Sequence, residues 1–205
     1  MTSANRKYKD SVFCKLFSDK ERFLELYGAI EDKVFPKDTK IEETTLENVL
    51  FMDRRNDLSF LVDNKLVVML EHQSTINYNM PLRFFLYAAY IYEKLIDNSS
   101  IYRSRLMKLP TPQFIVMYNG KEVYDKEEVL KLSDAFIDDE HKMLELEVRV
   151  ININEEMNPK ILSKSKSLEG YSKLVGETEK LRKQGESLDD AIKKALKYCI
   201  DNNFL

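Results

Sequence analysis

The most constraining feature of the sequence is an unbroken apolar run, residues 66–70, between Lys65 and Glu71. Five consecutive apolar residues bounded by polar ones are typical of a strand that is covered on both faces of a sheet. A second strand-like segment, residues 57–62, precedes it, and the pair Asp63-Asn64 between them favours a turn. The sequence therefore predicts a β-hairpin whose second strand lies inside a sheet.

Helix and strand patterns alternate along the rest of the chain. The predicted elements are a helix over 9–30 that Ser18-Asp19 could divide, a first strand over 44–52, a helix over 79–96, a strand over 112–118, a short helix over 126–132, a strand near an edge over 144–152, and helices from about 158, with breaks at Gly170, Gly176 and Gly185. Three strands followed by a helix and further strands predict an α/β fold with a mixed sheet flanked by helices. The expected organisation is a domain over 1–157 and a C-terminal helical extension over 158–205 packed on it.

Composition excludes several classes of protein. Hydrophobic residues make up 43% and charged residues 33% of the 205 residues, so the chain is not disordered as a whole. Cys14 and Cys199 are too far apart for a disulfide framework or a CxxC metal site, which favours the reducing cytoplasm. No apolar run approaches 18 residues, so no membrane span is expected. The chain has no phosphate-binding glycine loop, dinucleotide motif or Ser-His-Asp arrangement, so no organic cofactor is expected.

Charge is unevenly distributed along the chain. Residues 1–22 hold six basic against three acidic residues, and residues 160–197 hold ten against six. Residues 121–156 hold five basic against twelve acidic residues. The basic segments could attract the phosphate backbone of DNA, or they could be solvated helix faces.

The positions of Asp57 and Glu71 point to chemistry. A hairpin loop centred on Asn64 places Asp57 directly opposite Glu71, whereas a two-residue turn brings the two side chains only diagonally together. Two adjacent ionised carboxylates repel each other, and a divalent cation such as Mg²⁺ removes that repulsion. Gln73, on the same strand face as Glu71, could orient a water molecule or contact a phosphate. The alternative is that both acids are strand-end polar residues that meet solvent or an arginine.

Two further groups are candidates for binding a phosphate backbone. Arg83 and Tyr87 lie four residues apart and share a helix face. Arg83 could clamp a phosphate with support from Tyr87, or it could pair with a carboxylate while Tyr87 serves as a core aromatic residue. Lys9 and Lys15, in the first helix, could contact phosphate or could be plain surface residues.

An ordered set of segments resembles the PD-(D/E)xK nuclease superfamily, and within it the recombination-promoting nuclease and transposase-like branch. The matching segments are residues 8–17, 55–60, 69–74, 80–87, 112–120 and 144–154, and the resemblance covers roughly residues 6–200. It implies a restriction-endonuclease-like core in the order helix, three strands, helix, strand. It also implies a metal-dependent DNA endonuclease associated with transposition or recombination. Low sequence specificity is expected, because the sequence shows no module that reads DNA bases, such as a helix-turn-helix or a zinc finger.

The resemblance also assigns roles to single residues. Asp57 and Glu71 correspond to the metal ligands, for Mg²⁺ or Mn²⁺, and Asp10 to an acidic position that reaches the metal through water. Gln73 stands where the superfamily pattern has lysine, which weakens the activation of water. Two other hypotheses remain at this point. One is an inactive family member that binds DNA or protein, and the other is a homo-oligomer built through helices of 158–200.

Overall fold

In the computed structural model, the described residues are 8–44, 57–97, 99–138, 140–141 and 143–204. They divide into two compact units. The first unit comprises the described parts of 1–37, 118–126 and 152–205, and the second comprises those of 38–117 and 127–151. Among the described residues, all the α-helices but one lie in the first unit, and nearly all of the sheet lies in the second, together with short 3-10 helices over Ser100–Tyr102 and Leu132–Ala135.

The first unit is helical. Its helices are α1 (Tyr8–Phe17), α2 (Lys20–Glu31), α4 (Pro159–Leu162), α5 (Lys166–Lys183) and α6 (Leu188–Asp201). The predicted division at Ser18-Asp19 is confirmed, because the Asp19 side chain accepts a hydrogen bond from the Arg22 backbone N–H and caps α2. Aromatic side chains fill the interior, where Phe13 and Tyr171 meet edge to face at 5.4 Å. No helix in the described part of the chain is long and apolar enough to cross a membrane.

The second unit is built on a six-stranded mixed sheet with the order β1-β2-β3-β4-β6-β5. The strands are β1 (Ile41–Glu43), β2 (Leu58–Val62), β3 (Leu66–Gln73), β4 (Thr111–Tyr118), β5 (Glu127–Lys131) and β6 (Glu147–Asn152), and the helix α3 (Met80–Leu95) follows β3. This confirms the predicted α/β class with a mixed sheet. The predicted interior strand is also confirmed, because β3 lies third in the sheet and its residues from Val67 to His72 are buried.

The β2–β3 hairpin has the register of a loop centred on Asn64. Leu58 pairs with Leu70 and Val62 with Leu66. Asp63 and Asn64 have φ angles of 50° and 54°, a region that Asp and Asn adopt more readily than most residues. The backbone N–H of Lys65 closes the turn on the carbonyl of Val62 at 2.9 Å. This register makes Asp57 and Glu71 the next facing pair beyond Leu58 and Leu70.

Some predicted elements are wrong or untested. Residues 127–131 form strand β5 rather than a short helix, because β6 supplies backbone partners for this segment in an antiparallel ladder. Gly170 and Gly176 lie inside α5 and do not interrupt it, whereas Gly185, with a φ of 93°, does end that helix region. The strand predicted over 44–52 falls almost wholly on residues 45–52, which are outside the described residues, and β1 is formed by Ile41–Glu43.

Candidate metal centre

The hairpin brings Asp57 and Glu71 to the same end of β2 and β3. Asp57 directly precedes β2, and Glu71 lies near the end of β3. One oxygen of the Asp57 carboxylate accepts a hydrogen bond from the backbone N–H of His72 at 2.7 Å. This bond fastens Asp57 to β3, next to Glu71. The two carboxylates therefore belong to one local site, as the strand register requires.

Glu71 is the buried centre of this site, with a relative exposure of 1%. Its Oε2 atom accepts hydrogen bonds from Arg83 Nη2 at 2.8 Å and from Gln73 Nε2 at 3.2 Å. Its Oε1 atom is enclosed and has no hydrogen-bond partner among the described residues. The two oxygens of Glu71 therefore differ in their hydrogen bonding: Oε2 accepts two hydrogen bonds, and Oε1 accepts none from the described residues.

The surroundings of Glu71 oppose its ionisation. Burial is the largest cause and the negative charge of Asp57 the next, and together they raise the pKa of Glu71 to about 8. The positive charge of Arg83, the hydrogen bond from Gln73 and the nearby Tyr87 hydroxyl lower the pKa of Glu71 but are too weak to restore its ordinary value. A cation close to the carboxylate would favour its charged form, because opposite charge lowers a carboxyl pKa.

Arg83 is held in place by residues of its own helix. Its Nε and Nη2 atoms donate to the Tyr87 hydroxyl at 3.2 Å and 3.1 Å, and its Nη1 atom donates to the sulfur of Met80 at 3.4 Å. The guanidinium carbon lies 5.8 Å from the centre of the Tyr87 ring, a cation–π distance. Tyr87 and the neighbouring Phe84 are buried, which anchors this face of α3. The guanidinium is therefore an oriented group that points its donors at Glu71.

The structure places the predicted site residues in two different units. Asp57, Glu71, Gln73, Arg83 and Tyr87 lie together in the second unit. Gln73 donates to Glu71, and Arg83 pairs with Glu71, which is the carboxylate-pairing alternative for that arginine. Tyr87 is a buried aromatic residue that contacts Arg83 through its hydroxyl.

Three predicted residues, Asp10, Lys9 and Lys15, lie on α1 in the first unit. Lys15 is exposed, whereas Lys9 is buried, and its ammonium group donates to the carbonyl of Asn119 at 3.3 Å and lies 3.4 Å from Glu179. Their roles in binding metal or DNA stay predictions.

Sequence reasoning missed the charged cluster around Glu179. Glu179 forms ion pairs with Lys9 and with Lys121, whose Nζ atom lies 2.7 Å from Oε2 of Glu179. These residues come from α1, from the segment after β4 and from α5, far apart along the chain. No local pattern could have indicated that they meet. The same holds for the pairing of Gln73 with Glu71, since facing the same way along a strand does not fix which partner a side chain chooses.

The donor set fits a single hard cation. Mg²⁺ usually binds one or two protein carboxylates and keeps several water molecules. Asp57 and Glu71 supply two carboxylates, and the buried Oε1 of Glu71 has no hydrogen-bond partner among the described residues. The described residues contain no group of three or more His, Cys, Asp or Glu side chains that could hold a metal. Two carboxylates are a ligand set that suits an ion which keeps part of its water shell.

Comparison of the chain with protein-family models, curated proteins and solved structures found no match. Any functional assignment therefore depends on the chain's own residues. A cation held by two carboxylates could act on a phosphate ester, because a bound metal can activate water and neutralise charge on the phosphate.

Proposed function

We propose that the protein is a metal-dependent DNA endonuclease with a PD-(D/E)xK-like site and low sequence specificity. The observation that carries the proposal is the juxtaposition of Asp57 and Glu71 at one end of the hairpin, with Glu71 buried and one of its oxygens unpartnered. The order of β2, β3, α3 and β4 in the second unit agrees with the core that the sequence resemblance implies.

In this proposal the protein's residues hold and orient the reacting groups. Asp57 and Glu71 would bind Mg²⁺ or Mn²⁺, which when bound supplies an activated water and neutralises charge on the phosphodiester. Gln73 and Arg83 keep the Glu71 carboxylate fixed. Gln73 contributes no positive charge, so the site relies more on the metal than a lysine-containing site would. A preference for DNA sequence is not expected, because phosphate contacts carry no base information.

A plasmid-nicking assay tests the proposal. Purified wild-type protein is incubated with supercoiled plasmid in Mg²⁺, in Mn²⁺ and in EDTA, beside Asp57→Asn, Glu71→Gln and the control Glu93→Gln. Glu93 lies exposed on α3, so its variant repeats the chemical change away from the site. We expect metal-dependent nicking by the wild type and the control only. Nicking that persists in both site variants would contradict the proposal.

The contacts that Asp57 and Glu71 make inside the protein support a second candidate function. Both carboxylates have partners inside the protein, since Asp57 accepts from the His72 backbone and Glu71 pairs with Arg83. Such internal pairing is what a purely structural role would require. The second candidate is therefore an inactive family member that binds DNA or protein. Under this alternative, DNA binding measured by fluorescence anisotropy without metal would be the same in Asp57→Asn, Glu71→Gln and wild type, and no variant would nick.

A further inference from the structure

The donors around Glu71 are distributed unequally between its two oxygens. Arg83 and Gln73 both donate to Oε2, at 2.8 Å and 3.2 Å, and Oε1 has no hydrogen-bond partner among the described residues. A carboxylate oxygen that already accepts two hydrogen bonds, one of them charge-assisted, is a poor ligand for a cation. Oε1 is therefore the oxygen of Glu71 that remains for coordination.

The group that saturates Oε2 is itself built into the helix. Arg83 is fixed by two bonds to the Tyr87 hydroxyl and by a contact with Met80. Tyr87 is 5% exposed, so the hydroxyl is held by a packed ring. On the other side, Gln73 lies two residues from Glu71 on the same strand and shares its face. The Glu71 carboxylate is thus held by a hydrogen bond from Arg83 on α3 and by another from Gln73 on its own strand.

We infer that Arg83 and Gln73 act as positioning residues, which occupy Oε2 of Glu71 and present Oε1 alone to a bound cation. This inference rests on the proposed function, and it specifies which oxygen of Glu71 coordinates the metal. Arg83 keeps Glu71 oriented and does not serve as the clamp for a phosphate. Tyr87 acts one step further away, since its hydroxyl orients Arg83. Partners of metal ligands of this kind typically change metal affinity 10- to 100-fold.

The test measures Mn²⁺ binding directly, by calorimetry and by the electron paramagnetic resonance signal of free Mn²⁺. Gln73→Met removes the amide donor at constant charge. Arg83→Lys keeps the positive charge but loses the planar pair of donors. Both variants should bind Mn²⁺ about 10- to 100-fold more weakly than wild type. Tyr87→Phe should show a smaller loss in the same direction, and circular dichroism verifies that each variant is folded.

Matched controls make the same chemical changes elsewhere in the second unit. Gln113→Met alters a half-buried glutamine on β4, and Tyr92→Phe removes a hydroxyl of α3 that bonds the carbonyl of Pro110. Both should leave the affinity for Mn²⁺ unchanged. The hydration of the bound ion gives a second readout. With one oxygen each from Asp57 and Glu71, a six-coordinate Mn²⁺ keeps about four water molecules.

The outcomes separate the inference from the proposed function. The inference is overturned if wild type binds Mn²⁺ through Asp57 and Glu71, yet Gln73→Met, Arg83→Lys and Tyr87→Phe bind it as tightly or more tightly. Two outcomes would refute the proposed function and the inference together. In one, wild type binds no Mn²⁺; in the other, Asp57→Asn and Glu71→Gln bind Mn²⁺ as tightly as wild type does.

Discussion

The buried charge of Glu71 should make the metal-free protein less stable as pH rises. The pKa of this carboxyl is raised from its ordinary 4.5 to about 8 in the folded protein. A raised carboxyl pKa means that the folded state binds the proton more tightly than the unfolded state does. The contribution of Glu71 to stability is therefore greatest below pH 4.5, falls as pH rises, and levels off above pH 8.

The size of the effect follows from the pKa difference. One pKa unit corresponds to about 1.4 kcal/mol, so Glu71 should cost about 3 to 4 kcal/mol of unfolding free energy between pH 5 and pH 8. Glu71→Gln removes the titration and keeps the size of the side chain. Its changed contact with Arg83 adds an offset that does not depend on pH, because Arg83 stays charged throughout. The slope with pH, and not the absolute stability, is the informative quantity.

The assay is urea unfolding of wild type and Glu71→Gln in EDTA, followed by circular dichroism at several values between pH 5 and pH 8. The variant should gain stability relative to wild type by about 1 kcal/mol per pH unit across this range. Titrating groups that are not coupled to Glu71 cancel in the difference between the two proteins. A difference that stays constant with pH would refute the reasoning, because it would mean that Glu71 is ionised at pH 5 in the folded state.

Three further predictions concern the frame around the site, each measured by chemical denaturation. Asn64→Ala should destabilise the protein by about 1 kcal/mol, because Asn and Gly adopt the φ of 54° at this position more readily than Ala does. Asn64→Gly should be tolerated, and equal stabilities of the two variants would contradict this account of the turn. Ser187→Ala should cost about 1 kcal/mol, since the Ser187 hydroxyl accepts from the Asp190 backbone and caps α6, and Ser187→Asp should retain the cap. Phe84→Ala should cost about 3 to 5 kcal/mol, because this side chain is fully buried and packs on Phe114 with ring centres 5.4 Å apart; a loss below 1 kcal/mol would argue against that packing.

The hairpin that carries the site was predictable because its determinants are local. The apolar run of β3 requires cover on both faces, and Asp63-Asn64 suits the positive φ angles of the turn. The sequence left two registers open, and the structure has the one centred on Asn64. Since side chains alternate along a strand, this register is sufficient to bring Asp57 opposite Glu71. The existence of the acidic pair was therefore a sequence-level expectation.

Strand β5 shows where local reasoning fails. Residues 127–131 include glutamate, leucine and lysine, which also favour helix, and five residues are too few to show a period. The segment is a strand because its backbone groups pair with β6 from Lys131 opposite Glu147 to Glu127 opposite Ile151. Gly170 and Gly176 are the opposite case, since packing of α5 within the first unit outweighs the cost of glycine in a helix.

What the sequence determined by itself is the type and order of most elements and the pair of carboxylates at one hairpin end. What only the tertiary structure decided is how those carboxylates are used. Arg83 was open to two roles, and it pairs with Glu71 because the buried Tyr87 hydroxyl directs its guanidinium there. Oε2 of Glu71 accepts two hydrogen bonds while Oε1 has no partner among the described residues. This difference depends on distances of about 3 Å, one from Arg83 on α3 and one from Gln73 on β3. Hydrogen-bond geometry at that scale is set by packing, and packing involves residues that are distant in the sequence.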